Sequence, residues 1–204
     1  MDSAVSLAKN VIAESIRSIS KVEGLNISLP KIRGLLRGNS VSIDKDSYSF
    51  IKDIYLAWKF LFNTIDEYPI DIVFLSNLNK ISTGELIYKK GDIFTIDAFD
   101  IVGILNSEAI IYELDKIKIT DYNERLRALK YFCYIVKANI FIDRNLVLAQ
   151  LIANKVLIEA NIGVFLIPVE FLGYFKSLLE VFYKSGNDKD LIDFMLDFCI
   201  VDIK

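Results

Sequence analysis

Between positions 145 and 169 the chain carries charge at only two places, Lys155 and Glu159, and this run constrains the fold more than any other feature. Its longest charge-free pieces, 145–154 and 160–169, fall short of the ~18–20 apolar residues that cross a bilayer. The question has to be put, because 53% of all residues are hydrophobic and the mean hydropathy is +0.37, both high for a chain in water. No charged-then-apolar leader opens the sequence; Asp2 and Ser3 begin an amphipathic segment instead. The run therefore reads as a buried core helix, with surplus apolar surface suited to a partner interface and no membrane anchor expected. A length of 204 residues suits one domain over 1–204 and is ample for a sizeable core.

What the chain lacks limits its chemistry. It has no histidine, which removes the commonest general base, every Ser-His-Asp or Cys-His arrangement and the most frequent transition-metal ligand. Folding cannot relocate a residue type that is absent. Cys133 and Cys199 lie in apolar surroundings and read as buried free thiols of a reducing, cytoplasmic compartment; without histidine a zinc site is not expected. Net charge is −3 with acids and bases interspersed, so nothing forms the basic stripe a phosphate backbone requires, and nucleic acid is not an expected ligand.

Helical periodicity covers most of the rest. Val5, Ala8, Ile12, Ile16 and Ile19 place a helix over roughly 3–22. Ser28-Leu29-Pro30 opens a short helix ending near Gly38-Asn39, and a third runs from about Asp44 to Asn63 with Phe50, Ile54, Trp58 and Leu61 on one face. Residues 70–81 read as a fourth. From Glu85 to Leu105 the composition turns to Ile, Phe, Thr and Val, and Gly91-Asp92 suits a hairpin turn. Helical spacing returns near Ser107. Asp121-Tyr122-Asn123-Glu124 has capping-box spacing for a helix through Lys137, and the apolar helix runs from Asn145 to about Ala160, with Gly163 as its stop. Pro168 suits the first turn of a helix to Tyr183 that Gly186 closes, and a last helix fills 188–201. The expectation is an all-α bundle with one small β-hairpin. Asp188, Asp190, Asp193 and Asp197 read as a solvated helix face rather than a metal site, Gly84, Gly91 and Gly103 form no phosphate loop, and the aromatic residues look dispersed at core spacing.

Three strings, in order, resemble the Fic (Fic/Doc) family. The family carries H-P-F-x-D-G-N-x-R in a loop entering a long apolar helix; here Asn139-Ile140-Phe141-Ile142-Asp143-Arg144-Asn145-Leu146-Val147 stands in that place, matching at Phe141, Asp143 and Asn145. Upstream, Leu36-Arg37-Gly38-Asn39 corresponds to the I-E-G-N of self-inhibited members. Leu78-Asn79 and Gly91-Asp92-Ile93-Phe94 correspond to an L-H pair and a following G-x-Y-R hairpin. The similarity spans about 30–185, flanked by an N-terminal and a C-terminal helix.

The resemblance implies a Fic-like helical bundle whose hairpin serves as a flap, holding an extended target segment by strand addition. It implies protein adenylyltransferase chemistry, in which the loop histidine takes a proton from a target hydroxyl attacking a nucleotide α-phosphate. Asn139 occupies that place, and an amide has no usable proton affinity; loss of a general base removes ~10²–10⁴-fold in rate. Arg144 replaces the glycine of the phosphate nest, where a positive φ becomes unfavourable for a side chain, and Val147 replaces the phosphate-pairing arginine. Arg37 replaces the inhibitory glutamate, so both halves of that lock are changed. Asp143 and Asn145 read either as weak cofactor contacts through Mg²⁺ or as helix N-caps, Arg144 as a phosphate contact or a solvated loop residue, and Arg37, Gly38 and Asn39 as a relic of the lock or an ordinary C-cap.

These observations lead to a Fic-fold pseudoenzyme, a protein-binding or regulatory module with no catalytic residue and no expected cofactor. An atypical AMP transferase with a non-histidine base, using ATP with Mg²⁺, is the alternative; an unrelated helical interaction protein is the third. A protein partner is expected, and a homo-oligomer is left open.

Overall fold

The structure, a computed structural model, describes residues 2–86 and 107–203. Among them are nine α-helices, α1 (Asp2–Val22), α2 (Leu29–Leu36), α3 (Lys45–Thr64), α4 (Ile72–Ser82), α5 (Ser107–Ile119), α6 (Glu124–Ala138), α7 (Asn145–Glu159), α8 (Leu172–Ser185) and α9 (Lys189–Phe198), and two short strands, β1 (Gly163–Phe165) and β2 (Ile200–Asp202). The hairpin expected over 85–105 lies, but for Glu85 and Leu86, outside the described residues.

Helix α7 is the hub. Every residue from Val147 to Ile158 is buried, as expected of a helix that is apolar on all sides, and α1, α3, α4, α6 and β1 pack around it. The amphipathic α1 lays Ala4, Ala8, Ile12, Ile16 and Ile19 inward. Asp44 caps α3 by accepting from Ser47 N–H at 2.8 Å, and Asp71 caps α4 by accepting from Phe74 N–H at 2.8 Å. No described helix is long and apolar enough to cross a membrane.

Several ends differ from the sequence expectation. The cap of α6 is Asn123, whose Oδ1 accepts from Leu126 N–H at 2.9 Å; the capping-box spacing pointed to Asp121. Helix α7 is turned off by Asn161 at φ 53°, not by Gly163. Asparagine tolerates that left-handed geometry better than most residues. Gly163 belongs to β1, where an added Cβ would lie 2.2 Å from the Val201 carbonyl oxygen, so the strand pair can close only on glycine. Pro168 sits just ahead of a 3-10 turn, Val169–Phe171, that leads into α8. The last helix stops at Phe198 and the chain continues as β2, antiparallel to β1 with Val164 opposite Val201. Three-residue strands carry too little alternation to announce themselves.

Two buried polar side chains fix the C-terminal half of α7. Asn154 is fully buried and grips the main chain of Phe165 twice: its Oδ1 accepts from Phe165 N–H at 2.8 Å and its Nδ2 donates to Phe165 C=O at 3.0 Å. It thereby takes the place of a neighbouring strand on the side of β1 away from β2. Lys155, also fully buried, donates to the Ile65 carbonyl and pairs with Glu159, with its ammonium 5.0 Å from the centre of the Phe74 ring. Its long stem counts as core while its head meets acceptors.

Candidate functional site

The α6–α7 connection is built by one side chain. Helix α6 ends on Asn139 in the left-handed region, φ 49° and ψ 55°. Ile140 and Phe141 then turn into the core, at 1% and 6% exposure, and Ile142 points out at 80%. Asn145, the first residue of α7, reaches back across this turn. Its Oδ1 accepts from Phe141 N–H at 2.9 Å; its Nδ2 donates to Phe141 C=O at 2.6 Å and to Asn139 Oδ1 at 2.8 Å. Asn139 and Asn145, singled out separately in the sequence, are thus bonded to each other. Neither Asp143 nor Asn145 caps α7 in the usual way. Arg144 is the cap position and makes no side-chain cap bond, while Asp143 Oδ1 accepts from Arg144 N–H at 2.8 Å.

Arg144 keeps the backbone that a glycine would adopt, φ 65° and ψ 18°. The strain expected of a side chain there is met by contacts. Its guanidinium stacks 4.3 Å from the centre of the Phe50 ring on α3, and its side chain is only 21% exposed. Arg144 is therefore neither a solvated loop residue nor aimed into an open nest. Its Nε has no hydrogen-bond acceptor and lies 3.6 Å from Asp143 Oδ2. Burial holds the half-buried Asp53 carboxyl, also on α3, above the usual range, and the positive charges of Lys52 and Arg144 pull it partway back. Phe50 was visible in the sequence as a core position; nothing in the pattern tied it, or Asp53, to this loop. Val147, at the place of a phosphate-pairing arginine, is fully buried and points no charge anywhere.

Helix α4 supplies a further tie. Asn79 Nδ2 donates to the Asp143 carbonyl at 3.0 Å, so the Leu78-Asn79 string and the loop are joined. Among the described residues a cleft of about 320 Å³ opens between them, lined by Asn79, Lys80, Thr83, Glu85, Phe141, Ile142 and Asp143.

The upstream string is a complete helix ending. Gly38 N–H donates to Leu35 C=O at 2.9 Å and Asn39 N–H to Gly34 C=O at 3.0 Å, the paired bonds of a Schellman motif, with Gly38 at φ 80°. Arg37 is exposed; its N–H closes the helix on the Arg33 and Gly34 carbonyls at 3.2 Å, and its side chain makes no hydrogen bond or ion pair among the described residues. The ordinary C-cap reading accounts for Gly38 and Asn39 in full.

Elsewhere, both thiols are buried and unpaired, and burial pushes Cys133 and Cys199 up to about 12, far from thiolate chemistry at neutral pH. Among the described residues no group of three or more Cys, Asp or Glu side chains is gathered as a metal ion would need.

Neither a protein-family pattern nor a curated protein sequence matches the chain. Solved structures do. Residues 134–508 of Fic-1 from C. elegans align with a TM-score of 0.74 at 16% identity, over 97% of this chain and 62% of that one. A Fic domain-containing signaling protein from Bacteroides thetaiotaomicron aligns with a TM-score of 0.72 at 15% identity, over 96% of this chain and 85% of its own. A Fic family protein from Desulfovibrio desulfuricans gives 0.67 at 13%, over 93% and 64%. At such identities the likeness is one of fold: this chain has the Fic fold.

Proposed function

We propose that this Fic-fold chain does not transfer nucleotides and acts as a protein-binding or regulatory module. The observation that carries the reading is Asn139. It stands where the family places its general base, and its amide oxygen is already taken by Asn145 Nδ2 at 2.8 Å. No histidine exists anywhere in the chain to replace it. The neighbouring positions support the same reading: Arg144 is turned onto Phe50, and Val147 is buried.

The loop's donors also suit Mg²⁺ poorly. Such an ion collects free oxygen ligands, but Asn145 Oδ1 is spent on Phe141 N–H, and the Asp143 carboxylate engages the Arg144 backbone and faces its guanidinium.

The test is AMP transfer from labelled ATP with Mg²⁺ or Mn²⁺, both to the chain itself and to proteins of a cell extract. No labelling above background is expected. Robust turnover that disappears in Asp143→Ala would overturn the proposal in favour of an atypical transferase. A triple variant, Asn139→His with Arg144→Gly and Val147→Arg, then reports whether the scaffold still accepts the chemistry.

A further inference from the structure

The aromatic residues, which look dispersed along the sequence, converge at one place outside the loop. Phe171 in the 3-10 turn, Tyr174 on α8 and Phe198 on α9 are 38%, 58% and 49% exposed, yet they are not loose. Each packs on a neighbour: Phe171 lies 5.0 Å from Phe198, Tyr174 lies 5.4 Å from Phe194, and Phe198 stacks on Phe194 at 5.4 Å. Phe194 itself is 5% exposed and roots the group in the core. Half-buried Leu178 and Val181, 54% exposed, continue the apolar stripe along α8 at helical spacing from Tyr174. Rings already fixed by their neighbours lose little freedom when a partner covers them, and aromatic anchors dominate binding energy at interfaces.

The border of this face is acidic. At roughly 100° per residue, Asp190, Asp193 and Asp197 form a stripe on α9 directly beside that of Phe194 and Phe198. Glu170 adjoins Phe171. Only Asp193 is paired, with Lys189 at 2.6 Å; Glu170, Asp190 and Asp197 make no ion pair among the described residues.

From this we infer that the α8–α9 face docks a basic amphipathic helix of a protein partner. The helix's apolar side covers Phe171, Tyr174 and Phe198, and its lysines or arginines meet Asp190, Asp197 and Glu170. The carboxylate border selects against acidic segments and gives the encounter a salt dependence. The inference concerns a surface separate from the α6–α7 loop. Transferase activity would defeat the proposed function and leave this face untouched; failure of docking would leave the loop reading untouched.

The probe is a fluorescent amphipathic peptide of about five helical turns, with leucines and a tryptophan on one side and lysines on the other, titrated against the full chain. Saturable binding is expected, weakening as salt rises. Tyr174→Ala and Phe198→Ala should each weaken it by about tenfold. Asp190→Asn with Asp197→Asn should weaken it several-fold and flatten the salt dependence, without touching a packed ring. Circular dichroism checks that each variant folds. Absence of binding, equal binding of a scrambled peptide, equal binding of a glutamate-for-lysine peptide, or indifference to these substitutions would overturn the inference. So would a dimer, seen by sedimentation, that the same substitutions dissociate, because the face would then belong to a second copy.

Discussion

Asn145 opens α7 and Asn154 lies in its C-terminal half, and each closes two hydrogen bonds on the main chain of a phenylalanine. Asn145 holds Phe141 at 2.9 and 2.6 Å; Asn154 holds Phe165 at 2.8 and 3.0 Å. The chemistry is the same and the surroundings are not. Asn154 is sealed in the core beside β1, next to the buried Lys155. Asn145 supports a turn with an exposed Asn139, an exposed Ile142 and two residues of positive φ. A buried amide with no alternative partner is a fixed part of the architecture. Asn145 is buried as well, but its third bond goes to the exposed Asn139, so its turn borders solvent where that of Asn154 does not.

The largest loss is expected at Lys155. Lys155→Ala leaves the Ile65 carbonyl and Glu159 without their donor and opens a void, and should cost about 4 kcal/mol in urea unfolding. Next, Asn154→Ala strands the buried N–H and C=O of Phe165 and should cost about 3 kcal/mol, against about 2 kcal/mol for Asn145→Ala, which strands those of Phe141 in a turn that can relax toward solvent at Asn139 and Ile142. Equal losses from the two asparagine variants would mean that the two halves of α7 are held alike.

The smallest effect is expected beside the α6–α7 turn. The folded Asp53 carboxyl titrates above its ordinary 3.8, so its protonated form favours the folded state. That contribution is fully present below about 3.8 and is lost as pH rises through the folded value. Arg144 opposes the shift, so Arg144→Met should move Asp53 further upward and extend the loss to higher pH. Carboxyl NMR titration checks this; an unmoved Asp53 would separate Arg144 from α3.

Long elements were legible in the sequence because apolar residues recur along them. The spacing of Ala8, Ile12, Ile16 and Ile19 placed α1, and the near-absence of charge after Asn145 placed α7 at the centre. What failed to show depends on partners distant in the chain. Gly163 looks like a helix stop until Val201 is brought against it, and Ile200-Val201 looks like the tail of α9 until β1 offers a strand. At the candidate site, the residues of the loop could be named but not their bonds. Asparagine is read from sequence as a cap or turn former, and nothing in a string shows that Asn145 turns back to Asn139 or that Arg144 finds Phe50. The dispersal of the aromatic residues was a one-dimensional impression that the α8–α9 hairpin reverses.

The first helix is held by atoms made much later. Ala4 N–H donates to Asn161 Oδ1 at 3.1 Å and Ser18 Oγ to the Ile167 carbonyl at 2.6 Å. At the usual ~5–20 residues per second of translation, α1 emerges on the order of ten to thirty seconds before those acceptors exist. It can lean on α2 and α3 meanwhile, but its final seat is withheld until the far side of α7 has left the ribosome. A nascent chain stopped short of Asn161 should therefore present an apolar helix in search of a cover, a natural client for chaperones.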